Sequence, residues 1–152
     1  MARAKQTVDT ENSQERKSYL RVLEKVAAEG FCPFCEKNLS RTHPRPILTR
    51  GTHWLVTPSN WPYPGSKSHL LLISRKHIER VEQVTPAAWA ELHKHLQAYA
   101  KKYNLKGMTF FMRSGDTAYT SASVAHLHAH VVSGGKRKKN SREITAPIGF
   151  EK

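Results

Sequence analysis

The stretch Ser123-Val124-Ala125-His126-Leu127-His128-Ala129-His130-Val131-Val132 alternates in twos. Side chains on an extended strand point to opposite faces in turn, so His126, His128 and His130 share one face and Leu127, Ala129 and Val131 the other. The apolar set needs a core to pack on, which makes Val124 to Val132 a sheet strand with one buried face. Same-face neighbours on a strand lie about 6.7 Å apart, so the imidazoles form a row rather than a cluster. Buried imidazoles need hydrogen-bond partners and resist one another's protonation, so such a row suits a functional site better than a core. A catalytic metal site is the rival reading, since His-x-His is a common pair of zinc ligands, but a single row rarely wraps a tetrahedral ion.

Outward from this strand the pattern is that of a small mixed domain. Met108 to Met112 reads as a strand, joined to the histidine strand by a polar loop from Arg113 to Ser123. Thr85-Pro86 is a cap followed by a first-turn proline, and Trp89, Leu92, Leu96, Tyr99 and Tyr103 then keep helical spacing. Ile47 to Thr49, Trp54 to Thr57 and His69 to Ser74 are further strands, after a connector that Pro44 and Pro46 bar from any central strand. Tyr19, Leu20, Leu23, Val26 and Ala27 mark an N-terminal helix, with Asn12 or Ser13 as cap and Gly30 as stop. The order predicts an α+β fold: an antiparallel sheet of about five strands packed with a long helix, plus the N-terminal helix. Residues 1–12 are expected to be disordered, 13–134 to form the domain, and 135–152 to be a basic tail in which Ile144 to Phe150 adds a candidate edge strand.

The chain has 152 residues with 25 Lys plus Arg against 12 Asp plus Glu, a formal charge of +13. That excess favours polyanionic partners such as nucleotides or nucleic acid. The run Lys136-Arg137-Lys138-Lys139 reads equally as a nucleic-acid contact or as a solvated tail. The sequence lacks an apolar stretch near the roughly 18 residues of a membrane span and an apolar run behind its N-terminal charges, so the expected location is cytoplasmic, without a membrane partner.

Cys32 and Cys35 are the only cysteines. In a chain read as cytosolic a structural disulfide is disfavoured, and the βαβ pattern of a thioredoxin-like redox pair is missing. Zinc is the better reading, with histidines as the natural remaining ligands. His43 is the nearest in sequence. His53, His93 and His95 read as surface residues and His69, at a strand start, as structural.

The run His126-Leu127-His128-Ala129-His130-Val131-Val132 resembles the signature of the histidine triad superfamily, His-φ-His-φ-His-φ-φ with φ apolar. Asn60-Trp61-Pro62-Tyr63 and His69-Leu70-Leu71-Leu72-Ile73-Ser74-Arg75-Lys76-His77 are similar to two further family segments, Asn-x-φ-Pro-Tyr and Gly-His-φ-φ-φ-φ-Pro-x-x-His. The likeness spans about residues 31 to 134. It implies a HIT-like fold and an enzyme, a nucleotide hydrolase or nucleotidyltransferase in which His128 attacks an α-phosphate and carries the nucleotide. It further implies that His130 assists at the phosphate, that His126 supports the site or serves a metal, that Asn60 meets the ribose and that Ser123 donates to a phosphate oxygen, with Arg113 and Asp116 of the preceding loop as candidates to line the phosphate path. In the family's zinc-containing branch the structural zinc ligands are those matching Cys32, Cys35, His77 and His126. Ser133-Gly134-Gly135 and the Asn-x-φ-Pro-Tyr segment lean towards the dinucleoside polyphosphate branches, beside nucleoside phosphoramidates and adenylylated adducts. Where the family often has Pro-Arg after the triad and Gly-Gln before it, this chain has Ser133-Gly134 and Ala122. The resemblance implies a homodimer, for which Trp89 or the Tyr99 and Tyr103 edge are candidates. The alternative function is a catalytically weak nucleotide- or nucleic-acid-binding module using the triad face and the basic tail.

Overall fold

The computed structural model describes residues 6–13 and 16–152. Strands β1 (Thr49–Arg50), β2 (Trp54–Pro58), β3 (Ser68–Ser74), β4 (Thr109–Met112) and β5 (His128–Ser133) form one sheet in the order β1-β2-β3-β5-β4. Every pairing is antiparallel. Among the described residues four α-helices complete the fold: α1 (Lys17–Glu29), α2 (Glu36–Thr42), α3 (Pro86–Lys102) and the single turn α4 (Thr117–Thr120). Among the described residues no helix is long and apolar enough to cross a membrane.

The sheet's two faces have different jobs, as the alternation requires. One face carries Trp54, Val56, Leu70, Leu72, Ala129 and Val131, which pack with Leu127 against Ala88 and Leu92 of α3. Helix α3 starts where the sequence predicts: Pro86 is its first residue and the Thr85 hydroxyl accepts from the Ala88 amide. It is tied to β2 by the Trp54 indole, which donates to the Ala88 carbonyl at 2.8 Å, and by the Glu91 carboxylate, which accepts from the His53 and Trp54 amides. Gly51 lets Glu91 come this close, since a Cβ there would lie 2.0 Å from its carboxylate oxygen. The other face carries Leu55, Leu71 and Ile73, covered by Leu39 of α2. Cross-strand pairs Leu71–His130 and Ile73–His128 put both histidines on this second face.

The structure corrects several expectations. Strand β5 begins at His128, so His126 stands in the turn before it and not in the strand row. The reason is that residues 124–127 spend their backbone groups elsewhere: Val124 bridges to Val8, the Ala125 amide donates to Thr7, and the Leu127 amide to Ile78. The same contacts anchor residues 7–12, which fall in the stretch 1–12 expected to be disordered, and bury Val8 with Leu23 and Val26 of α1. Residues 1–5, also assigned to that disordered segment, lie outside the described residues. Helix α1 ends at Gly30 as predicted, with φ of 71°, but its N-cap is Arg16. Asn12 instead donates to the Thr117 and Ala122 carbonyls, and the Ser13 hydroxyl meets that of Ser123. Helix α2 falls where a turn and connector were expected. Ile144 to Phe150 forms no edge strand; it crosses the domain as irregular chain, with Ile144 against Gly65 and Gly134.

Candidate active site and metal cluster

A cavity opens between the second face of the sheet and α1. Tyr19, Val22, Leu23 and Val26 form its apolar wall, and His69, His128 and His130 its polar floor. Asn60 and Trp61 also line it, with the Trp61 ring 5.4 Å from that of Tyr19.

His128 is buried, and its Nδ1 lies 2.7 Å from the His126 carbonyl oxygen. A carbonyl only accepts, so Nδ1 carries the proton and Nε2 is left with a lone pair. Burial holds its pKa down at about 4, partly offset by that carbonyl bond and reinforced by His126, Arg113 and His69. The ring is therefore neutral at pH 7 and nucleophilic at Nε2. Phe34 meets it edge-on at 4.8 Å, fixing its plane.

The neighbouring ring, with its centroid 5.0 Å from that of His128, has the opposite tautomer. The Tyr63 amide donates to His69 Nδ1 at 3.1 Å, so neutral His69 carries its proton on Nε2. That Nε2 donates to His130 Nδ1 at 2.9 Å, which places the His130 proton on Nε2. Burial lowers both pKa values, His69 to about 4, and Arg16 and Arg113 push in the same direction. Tyr63 stacks on His69 at 4.6 Å and Phe111 on His130 at 4.6 Å. Beyond His130 lies Arg113, whose Nη1 is 3.1 Å from His130 Nε2.

On the other side of His128, Cys32, Cys35, His77 and His126 bring one donor atom each within 4.8 Å of the others. Cys32 Sγ is 3.4 Å and Cys35 Sγ 3.8 Å from His126 Nδ1; His77 Nδ1 is 3.3 Å from Cys35 Sγ and 3.2 Å from His126 Nδ1. The edges of a tetrahedral zinc site with two thiolates and two imidazoles are about 3.6 Å for S–N and 3.3 Å for N–N. The far nitrogens are held as metal-bound histidines usually are: His126 Nε2 donates to the Ser74 carbonyl at 2.7 Å, and His77 Nε2 lies 3.5 Å from the Glu79 carboxylate. Burial raises the Cys32 thiol to about 12, a cost that a bound cation would reverse.

The structure thus brings Asn60, His128 and His130 to one cavity and sends the His126 ring to the metal cluster. The Ser123 hydroxyl is engaged by Ser13, 2.5 Å away, and Ser123 does not line the cavity. Asp116 caps α4 through the Ala118 amide instead of lining a phosphate path. His43 is buried against the Thr57 hydroxyl at 2.7 Å, away from the cluster. Sequence reasoning missed His69, Tyr63 and Phe34. The register pair His69–Val132 places His69 on the His130 face, but that needs the β3–β5 pairing, which the sequence does not display.

Three comparisons bear on this site. The family model of the HIT domain matches residues 62–137, which span half of the chain. An uncharacterized HIT-like protein of Chlamydia trachomatis is 31% identical over 77 residues, covering 48% of this chain and 68% of that protein. A member of the HIT family from Bacillus subtilis superposes with a TM-score of 0.53 at 25% identity, over 69% of this chain and 74% of the other. The fold is also that of a HIT family hydrolase from Clostridium thermocellum, with a TM-score of 0.55 at 24% identity, over 75% and 96% of the two chains.

Proposed function

The chain belongs to the HIT domain family, and from that premise we propose that it is a nucleotide hydrolase or nucleotidyltransferase with His128 as nucleophile. The observation that carries the reading is the His128 tautomer: the His126 carbonyl holds the proton on Nδ1, so the lone pair of Nε2 is available in a cavity it shares with Asn60 and His130. Nε2 attacks the α-phosphorus of the bound nucleotide. The N–P bond forms as the bond from phosphorus to the leaving group breaks, and the leaving group departs with the bonding pair. Water or another acceptor then forms an O–P bond, loses its proton, and releases Nε2 with its lone pair restored. The apolar wall from α1 suits a base, and Asn60 at the mouth suits a ribose hydroxyl. Candidate substrates are a dinucleoside polyphosphate, a nucleoside phosphoramidate or an adenylylated adduct.

Cys32, Cys35, His77 and His126 would hold a zinc ion, whose part is structural. The ligand turn 32–35 carries Phe34 onto the His128 ring, and His126 supplies the carbonyl that sets the His128 tautomer. The metal ligands therefore position the nucleophile without touching substrate. Trp89 and Tyr103, 39% and 46% exposed, are the surface on which the proposed homodimer would draw.

The test is intact mass after brief incubation with adenosine 5′-phosphoramidate or diadenosine polyphosphates, with AMP release followed in parallel. An AMP adduct and AMP release that both vanish in His128→Ala are expected. Hydrolysis unchanged in a folded His128→Asn variant would remove His128 from the role.

A further inference from the structure

The hydrogen-bond count around His130 does not close. Because the Tyr63 amide can only donate, the chain Tyr63–His69–His130 has one consistent neutral protonation, and it ends with an N–H at His130 Nε2. The group facing that N–H at 3.1 Å is Arg113 Nη1, which is also only a donor. Two donors therefore face each other, one of them on a ring 7% exposed. Burying the His130 donor without an acceptor is costly, and an anion between it and the half-buried guanidinium would satisfy both.

Arg113 is held in this position. Its Nε donates to the Pro147 carbonyl at 3.0 Å and its Nη2 to the Tyr63 hydroxyl at 3.0 Å, with a further close contact from Nη2 to the Pro147 carbonyl. Nη1 is the edge left facing the site. Arg113 does not itself line the cavity walled by α1; it contacts His130 and Tyr63, which do. An anion held there lies outside the apolar α1 wall that suits a base.

We propose that His130 Nε2–H and Arg113 Nη1 together form an anion subsite for a phosphate of the leaving group, making Arg113 a specificity-determining residue for substrates that release a phosphate or polyphosphate. This rests on the nucleotidyl-transfer reading above and names the substrate class within it. When the bond to the α-phosphorus breaks, a phosphate leaving group departs as an oxyanion, whose growing charge the two donors neutralise. An amine leaving group gains no such benefit and needs a proton instead. The irregular segment 144–149 acquires a role as well, because its Pro147 carbonyl aims Arg113.

The full chain as purified, and its Arg113→Gln variant, are to be compared on diadenosine tetraphosphate and on adenosine 5′-phosphoramidate. Arg113→Gln is expected to lower kcat/KM for the polyphosphate by about 100-fold more than for the phosphoramidate. Equal losses on both substrates, or none on either, would overturn the subsite. If the wild type cleaves neither substrate, the nucleotidyl-transfer reading fails, and binding of inorganic tripolyphosphate decides the subsite by itself. Binding at least about 10-fold weaker in Arg113→Gln upholds the donor pair, and equal binding removes it.

Discussion

The two ends of the histidine triad, His126 before β5 and His130 within it, differ in how their polar groups are satisfied. At the His126 end every ring nitrogen has a partner: Nδ1 faces the two sulfurs and His77, and Nε2 donates to Ser74. At the His130 end, donors outnumber acceptors. A closed shell suits a group that stays, and an open one suits a group that comes and goes. His128 sits between, its proton held by the His126 backbone and its lone pair facing the cavity. Adjacent, chemically identical side chains thus take three roles because different backbone carbonyls and neighbours set their tautomers.

The sharpest way to break this comparison is at its midpoint. His128→Asn should cost about 10³-fold or more in turnover while leaving melting temperature and metal content near wild type, as read by steady-state kinetics, calorimetry and elemental analysis. Joint loss of activity and metal would mean the two ends are not separable. At the closed end, Cys35→Ala or chelation should release one equivalent of zinc and destabilise the fold by several kcal/mol, with activity falling as a consequence. Full metal content in that variant would exclude Cys35 from the ligand set.

The open end should show itself in pH dependence. His69 has its pKa lowered to about 4 against an ordinary 6.5. Between those values the unfolded chain binds a proton that the folded one refuses, so stability rises with pH. The contribution of neutral His69 is fully present above pH 6.5 and is lost as pH falls towards 4. Melting temperature should therefore drop across that window in wild type and less steeply in His69→Asn; parallel slopes would deny His69 this part. The smallest effect is expected at the exposed run Lys136-Arg137-Lys138-Lys139, just beyond β5. Its replacement by Gln should leave mononucleotide turnover within about threefold and, where RNA or DNA binds at all, flatten the salt dependence of that binding.

Much of the framework was legible in the chain. Thr85-Pro86 and the spacing of Trp89, Leu92 and Leu96 announced α3, because capping and periodicity are local. Gly30 announced the end of α1 for the same reason. The Cys-x-x-Cys turn and the triad stood out through residue type, and the structure brings Cys32, Cys35, His77 and His126 together. The start of β5 was less readable: alternation runs back to Val124, but Val8 and Ile78 compete for the backbone of residues 124–127. Their partners lie tens of residues away or more, beyond the reach of any local pattern. Helix α2 was hidden by the prolines that follow it, and the anchoring of residues 7–12 by their polar composition.

Alternation and residue type alone determined that His128 and His130 share a strand face opposite an apolar core, and that two cysteines stand ready for a metal. Only the tertiary structure decided which ring nitrogen of each histidine carries the proton. Tautomers are set by whichever donor or acceptor touches the second ring nitrogen. Those partners, the His126 carbonyl for His128 and the His69 ring, itself fixed by the Tyr63 amide, for His130, become neighbours only when the strands pair and the turns close.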